Sequence, residues 1–555
     1  MPTIAIIITD QNHGRLGHAA RLNDQLAGAS VLSHTVRRAD RITGVDRIVL
    51  LHPRGQDPKT LLAGGSTTTP LSTFADRSGL RDPWTDQWIA ARKWAQTAWR
   101  GGLGWATVFD ELMPAGPVIA AMEANKAECA FVVRGDWCLF DPVFADGQLD
   151  ILLENPRAMK LAFTQAAPGL GGLAVHIDTL RSLTGKGVGF GQILDYNPLS
   201  PGWDPIGRDM NFLIPAVVRD TARRFIYDTP RSIELINNIA GRMGNNLVSA
   251  DAETIAGACL AIEADDPQMA FERLPRGVTL ELTPRRAATG PITPHHHTTF
   301  DRPDMDVDLA GRIVTQLGGD GEIALMIGGL GDALLHPQWD EVVAAAADAG
   351  VFGIGIETDM LVERDELARI LDLPIDLVVV RLNADTAETY EKVMGVAGYK
   401  GVLENMQWLF NERNRRAAMG KGRVGVPWLI PKLVKTPDTL GDLEGFFEKW
   451  MRLIGHAIIA PARCGCGQMP DQSPVPMAPP RRVACRQLAR RMSILSDATV
   501  AQCDQDWHGA AALGDAKLAT LADIWRNMRR VAEAHESRDF TSLTLCGACT
   551  EWHRP

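Results

Sequence analysis

The sequence lacks the features that would place it in a membrane or along nucleic acid. No run of about 18 apolar residues free of charge occurs in it, so no spanning helix is expected. Positive charge is not in excess: 57 Lys and Arg against 67 Asp and Glu leave a net charge of -10. A chain that coats nucleic acid through bulk charge is thereby excluded, and no nucleic-acid partner is expected. The start, MPTIAIIITDQNHG, has no basic region ahead of its short apolar run, so it reads as a first β-strand rather than a secretion signal. The expected location is the cytoplasm. Nor is hydrophobicity scarce: at 45% hydrophobic and 22% charged residues, disorder is excluded as the main state. The most telling absence is internal, since no cysteine lies between Cys259 and Cys464.

What is present begins with length. At roughly 100–200 residues per domain, the 555 residues predict about three or four domains. Six of the nine cysteines fall between Cys464 and Cys549. In a reducing compartment that clustering points to a metal site rather than to disulfides. Cys129, Cys138 and Cys259 are scattered and read as small core residues.

Residues 1–235 alternate short β-branched runs (TIAIII, DRIVLL, CAFVV) with stretches of helical spacing such as ASVLSHTVRRADRI and TDQWIAARKWAQTAW. That alternation predicts an α/β domain with a mostly parallel sheet, whose ligands would sit beyond the carboxyl ends of its strands. A Gly- and Arg-containing loop, QNHGRLGHAARLNDQLAG, follows the first strand and offers Arg15 and Arg21 to phosphates. Asp136 and Asp228 each follow a strand-like run, and two such carboxylates can share one Mg²⁺.

These segments resemble the cytidylyltransferases that activate acidic sugars, such as CMP-Kdo synthetase. Gly135-Asp136 with Asp141-Pro142 is similar to their GDxPLxxP segment, and Asp228-Thr229-Pro230 to their DTPxD segment. The resemblance implies a Rossmann-like (GT-A-like) nucleotidyltransferase domain, with Asp136 and Asp228 as metal ligands. The chain also departs from that pattern. Asn23-Asp24-Gln25 replaces the Pro-Gly-Lys end of the loop, and Ser232 replaces the second carboxylate of DTPxD. Two readings stay open: a transferase, or a retained fold without the activity. Residues 236–275 read as a helical connector.

From 276 to 465 a second series of βα units predicts a barrel or partial (β/α) barrel. Several segments resemble the radical SAM enzymes: ELTPRR at 281–286, the GLGDALLHP turn at 329–337, Thr358-Asp359-Met360, and Arg381-Leu382-Asn383-Ala384-Asp385. By that resemblance Gly329, Gly331 and Asp332 form the turn that takes the amino group of S-adenosylmethionine. Those enzymes hold a [4Fe–4S] cluster with CxxxCxxC after the first strand. This chain has RRAATGPITPHHHTTF there, without a cysteine, so S-adenosylmethionine is not expected as a cofactor. His295-His296-His297 is the one alternative donor set in that loop, since imidazole suits iron and zinc; a solvated loop is the other reading.

Residues 466–555 open on a Pro-rich segment, 467–481, that reads as an extended linker. MSILSDATVAQC then reads as a hairpin turning at Ser496-Asp497-Ala498, and LATLADIWRNMRRVAEAH as a helix. Cys485, Cys503, Cys546 and Cys549 make a tetrad suited to Zn²⁺ or a [4Fe–4S] cluster. The pattern of Cys485, Cys503-Asp504, Gly514-Asp515, Ile524-Trp525 and Cys546-x-x-Cys549 resembles the SPASM/twitch extension of radical SAM enzymes, which implies an auxiliary [4Fe–4S] cluster on the four cysteines. Cys464 and Cys466 lie before the linker as a further ligand or redox thiol.

The expectation is an iron–sulfur protein on a degenerate radical SAM/SPASM scaffold, relaying electrons or binding a partner or ligand. A separate radical SAM enzyme and a peptide or protein substrate are the partners considered. The alternatives are a radical enzyme with unusual cluster ligation and a nucleotidyltransferase using Mg²⁺.

Overall fold

The apolar run TIAIII forms strand β1, Thr3–Ile8, buried along its whole length at the centre of a six-stranded sheet. A strand covered on both faces has no need of polar alternation, which is why it reads as a continuous run. In the computed structural model, placement is described for all residues except 1, 63–66, 102, 155–159, 185–186, 195–209, 476–477 and 555. The chain forms two compact units, Met1–Asp266 and Pro267–Pro555.

In the first unit, β1 is joined by β2 (Arg47–Pro53), β3 (Leu71–Asp76), β4 (Cys129–Arg134), β5 (Leu161–Phe163) and β6 (Leu173–His176), in the spatial order β3-β2-β1-β4-β6-β5. The first four are parallel, while β6 and β5 pair antiparallel. The expected α/β sheet is thus present, with an antiparallel edge. Helix Val31–Ala39 starts at a Ser30 cap, whose hydroxyl accepts from the Ser33 N–H at 3.1 Å.

The segment expected as a helical connector is helical, and its first part packs on the first unit. Helices Pro230–Met243 and Ala252–Asp265 bury Ile236, Ile239, Ile255 and Cys259 in one apolar cluster with Val31, Leu139 and Phe225. Buried Arg38 ties them down, donating to the carbonyls of Leu247, Ala250 and Phe140 at 2.8–3.0 Å. These helices have an apolar face to bury, so they belong to the first unit.

In the second unit six parallel strands follow in sequence order: β7 (Gly277–Leu280), β8 (Ala324–Ile327), β9 (Gly353–Thr358), β10 (Leu377–Arg381), β11 (Trp428–Lys435) and β12 (Ile458–Pro461). Helices connect them, as in a partial barrel. The sheet does not end at β7. Strand β13 (Arg491–Ile494) pairs parallel to it, and β14 (Thr499–Ala501) and β15 (Ala512–Asp515) continue antiparallel. The C-terminal hairpin therefore extends the barrel sheet, in one nine-stranded sheet. Its turn falls at the expected residues, with Ala498 at φ 71.

The expected long helix is split into Leu521–Trp525 and Met528–Ser537, with Trp525 fully buried. The Pro-rich segment has no regular structure among its described residues; Pro476 and Met477 lie outside them. It is tethered nonetheless, since the Gln472 amide donates to the Pro291 carbonyl at 2.7 Å. No helix among the described residues is long and apolar enough to cross a membrane.

His456 gives this unit an acid limit. Its Nε2 bonds the Leu429 carbonyl at 2.8 Å, its ring meets Trp428 edge-on, and its Nδ1 has no partner. Burial pushes its pKa down to about 4. The unfolded chain binds that proton below about 6.5 and the folded chain only below about 4. The stabilisation is complete above pH 6.5 and disappears as pH falls to 4, a change on the order of 3 kcal/mol. A His456→Asn variant should show a flatter fall in melting temperature over that window; an unchanged slope would remove His456 from the account.

Candidate metal centre

The C-terminal cysteines come from four short pieces of chain. Cys485 precedes β13, Cys503 follows β14, Cys546 lies in the short helix Thr544–Ala548, and Cys549 follows it. Cys466 sits in a tight turn after β12. All five line one cavity of about 540 Å³, part of it open to solvent. Their sulfurs surround a space rather than a point: among the described residues, no three His, Cys, Asp or Glu side chains are gathered around a single-ion position. Cys464 points elsewhere, into an apolar contact with Met469 and Trp507.

The surroundings suit negative sulfur. The Gln502 amide donates to Cys546 Sγ at 2.9 Å, the Glu551 N–H to Cys549 Sγ at 3.2 Å, and the Gln487 N–H to Cys485 Sγ at 3.4 Å. Arg482 and Arg491 line the same cavity. Donors of this kind orient metal-bound thiolates and stabilise their charge. His535 accepts from the Cys485 N–H at 3.2 Å through Nδ1, and burial pushes its pKa down to about 4, so it stays neutral. Burial raises the Cys485 and Cys503 thiols and lifts Cys546 to about 11. Cys549 differs: the neighbouring Cys466 thiol brings it below the ordinary thiol value, to about 7. Four thiols, amide donors and two guanidinium groups around one space fit an iron–sulfur cluster.

The other predicted sites look different. In the first unit Asp136 follows strand β4, whereas the run before Asp228 forms no strand, contrary to expectation; both carboxylates are buried. Both oxygens of Asp228 are taken by Arg224, whose Nε donates to Oδ1 at 2.8 Å and whose Nη2 donates to Oδ2. Arg134 pairs with Asp136 at 3.4 Å. Arg224 also bonds Glu111, which Arg92 holds from the other side at 3.3 Å. Guanidinium groups thus stand where the sequence suggested Mg²⁺. Arg15 and Arg21 do not meet at one anion site: Arg15 is buried and donates to the Glu111 carbonyl at 2.7 Å, whereas Arg21 is exposed, 3.9 Å from Asp24.

In the barrel, Gly329, Gly331 and Asp332 do form the expected turn. Gly331 is required there, because a Cβ would lie 1.8 Å from the Thr283 carbonyl oxygen. The carbonyls of Gly329 and Gly331 accept from Arg381, at 3.1 and 2.7 Å. The acceptors that would receive an amino group are therefore engaged by the chain's own guanidinium. Asp332 accepts from Thr358 Oγ1 at 3.0 Å and from the N–H groups of Asp359 and Leu334 at 2.8 and 3.1 Å. Asp359 in turn is paired with Arg286 in bidentate fashion and with Arg381. Glu357 would be raised by burial, yet Lys432 at 2.7 Å and Arg381 hold it near 2. The mouth of the barrel is filled with internal ion pairs.

The loop that lacks cysteines is anchored by other means. Its Gly290 N–H donates to the Met394 carbonyl at 2.8 Å, Phe300 stacks on His508, and Arg302 bonds Glu281 and the Trp507 carbonyl. The three histidines do not converge. His295 bonds the Pro284 carbonyl, His297 the Pro291 carbonyl, and no metal position is formed.

Sequence reasoning missed the arginines. Their signals were present: Arg134 directly before Gly135-Asp136, Arg224 four residues before Asp228, and Arg381 where the resemblance has a serine.

Comparison with known proteins agrees with the C-terminal part. Residues 485–550 match the SPASM family, an iron–sulfur cluster-binding domain. An uncharacterized protein of Treponema pallidum (strain Nichols) is 27% identical over 238 residues, covering 40% of this chain and 62% of that relative, less than two thirds of its length. Among solved structures, Streptococcus suis SuiB bound to S-adenosylmethionine is 14% identical with a TM-score of 0.40, over 53% of this chain and 78% of that one. BtrN in complex with AdoMet and 2-DOIA is 13% identical with a TM-score of 0.34, over 49% and 92%. A cytidylyltransferase from Leptospira borgpetersenii serovar Hardjo-bovis (strain JB197) is 14% identical with a TM-score of 0.32, over 48% and 97%. At such scores the architecture rests on the strand order itself.

The buried arginine cluster makes a direct prediction. Arg224→Met leaves Asp228 without its partner and should cost about 3–5 kcal/mol, read by urea denaturation. Millimolar Mg²⁺ should leave the wild-type melting temperature unchanged. Stabilisation by Mg²⁺ would show that the carboxylates exchange Arg224 for metal.

Proposed function

We propose that this chain is an iron–sulfur protein that binds one [4Fe–4S] cluster through Cys485, Cys503, Cys546 and Cys549 and relays electrons to a partner. A separate radical SAM enzyme is the partner class considered. The carrying observation is the convergence of these thiols on one cavity, within the segment that matches an iron–sulfur cluster-binding domain. When bound, such a cluster supplies one-electron chemistry. The chain's own residues hold it, orient the thiolates through Gln502 and two backbone N–H groups, and keep charge balanced with Arg482 and Arg491.

A radical enzyme is the competing reading. It is disfavoured by Arg381, which engages the Gly329 and Gly331 carbonyls, and by a barrel loop without thiols. A transferase is disfavoured by the bidentate hold of Arg224 on Asp228.

Anaerobic reconstitution followed by iron and acid-labile sulfide analysis tests the reading. About four of each per chain are expected, lost in Cys485→Ala. The reduced protein should not cleave S-adenosylmethionine. Zinc without sulfide would overturn the iron–sulfur reading, and reductive cleavage of S-adenosylmethionine would replace it with the radical enzyme.

A further inference from the structure

The segment that carries Cys485 is strongly and locally positive, in a chain whose net charge is -10. Five of the eleven residues from 481 to 491 are arginine, and no Asp or Glu lies between Asp471 and Asp497.

The segment divides these arginines between two faces. Arg482, Cys485, Gln487, Leu488 and Arg491 line the thiol cavity. Arg481, Arg486 and Arg490 do not line it; they are exposed and have no ion pair among the described residues. Carboxylates beside the cysteines are committed to other arginines, Asp504 to Arg463 at 2.7 Å and Glu551 to Arg554 at 3.2 Å. Elsewhere in the unit Arg285, Arg415 and Arg526 are exposed as well, yet each faces a carboxylate. Neutralising the thiolates does not account for the outer three, because Arg482 and Arg491 already stand at the cavity.

The outer arginines are displayed on a fixed wall. The Cys485 N–H donates to His535 Nδ1 at 3.2 Å, and the Arg486 N–H to the Trp552 carbonyl at 3.2 Å. The Arg490 carbonyl accepts from the Gly277 N–H at 3.2 Å, which ties the segment to the barrel sheet. Val483, 47% exposed, stands among them. Arginine is enriched at protein interfaces, and a wall held in place needs little ordering when a partner arrives. Nucleic acid fits less well, since residues 481–491 include no aromatic ring on which a base could stack.

We propose that Arg481, Arg486 and Arg490 form the docking surface for an acidic one-electron carrier protein, which meets the chain on the outer side of the wall that carries Cys485. The inference rests on the iron–sulfur reading above and names the face through which the electron partner is reached. One electron crosses per encounter, lost on one side and gained on the other, and no bond is made or broken. Redox encounters of this kind have small interfaces, so electrostatic steering and orientation count for more than buried area.

Native cytochrome c, which is basic, and its succinylated form, which is acidic, present opposite charge around the same haem and serve as probes. Two quantities are measured at about 20 mM and about 300 mM salt. One is binding of the reconstituted full-length protein to each immobilised probe. The other is the rate at which the reduced protein, freed of dithionite, reduces each probe in solution. The net charge of -10 by itself favours the basic form. The proposal predicts the reverse: at low salt the acidic form should bind more tightly and react about tenfold faster, and high salt should erase the difference. Arg481→Gln/Arg486→Gln/Arg490→Gln should lose that preference while iron and sulfide content and melting temperature stay unchanged. Should the triple variant melt lower, Arg486→Gln and Arg490→Gln singly should each lose part of it. Preference for the basic form would overturn the proposal, as would an acidic preference that survives in the triple variant. Binding of a short single-stranded RNA at physiological salt, lost in the triple variant, would also overturn it by assigning the patch to phosphates. The binding arm needs no cluster and so separates the two failures. Patch-dependent binding by a protein that takes up no iron and sulfide would refute the iron–sulfur reading, and with it the electron-carrier identity of the partner.

Discussion

A carboxylate or thiolate taken out of water needs a positive partner, and the chain meets that need in two ways. In the first unit and at the barrel mouth the partner is arginine or lysine. Arg224 holds Asp228, Arg286 and Arg381 hold Asp359, and Lys432 holds Glu357. At the C-terminal cavity Arg482 and Arg491 line the same space as the five thiols, and burial raises Cys485, Cys503 and Cys546. Removing one partner of a buried pair leaves an uncompensated charge, so the arginine-filled clefts are fixed structure. The thiols remain available to a metal group, whose binding would displace their protons and add to folding stability.

This division orders the rest of the second unit. The nine-stranded sheet carries the hairpin β13–β14 from the barrel edge, which brings Cys485 and Cys503 to either end of that hairpin. Trp525 and Met528 bury the following helices on the same core, and these lead to Cys546 and Cys549. A cluster held by such separated segments would cross-link the hairpin to the chain's C-terminal end. The anchored loop that carries Phe300 and Arg302 does the corresponding work on the barrel side without metal.

The strands were legible wherever burial on both faces made continuous β-branched runs, as in TIAIII and the LVVVR of β10. The sequence grouped Cys485, Cys503, Cys546 and Cys549 through the CxxC pair, the hairpin and the resemblance to the SPASM extension, and all four line one cavity. Helix Thr85–Arg92 is shorter than its pattern suggested, and the chain beyond it folds so that the carbonyls of Ala98 and Gly101 accept from Arg92. The same kind of long-range pairing hid the fate of Asp136, Asp228 and the glycine turn. A carboxylate at a strand end looks alike in sequence whether a cation or an arginine faces it, and only the fold brings Arg381 onto Gly329 and Gly331. The segment 236–275 is helical as expected, and what its sequence did not show is that the apolar face of helix Pro230–Met243 is satisfied inside the first unit.

The most direct test of the central claim is spin quantification by low-temperature electron paramagnetic resonance of the dithionite-reduced, reconstituted protein. The account predicts a single S = 1/2 iron–sulfur signal of about one spin per chain. A silent spectrum from protein that carries zinc in the thiol cavity would contradict it, and so would a second iron–sulfur signal, which would mean that the cysteine-free barrel holds a cluster of its own.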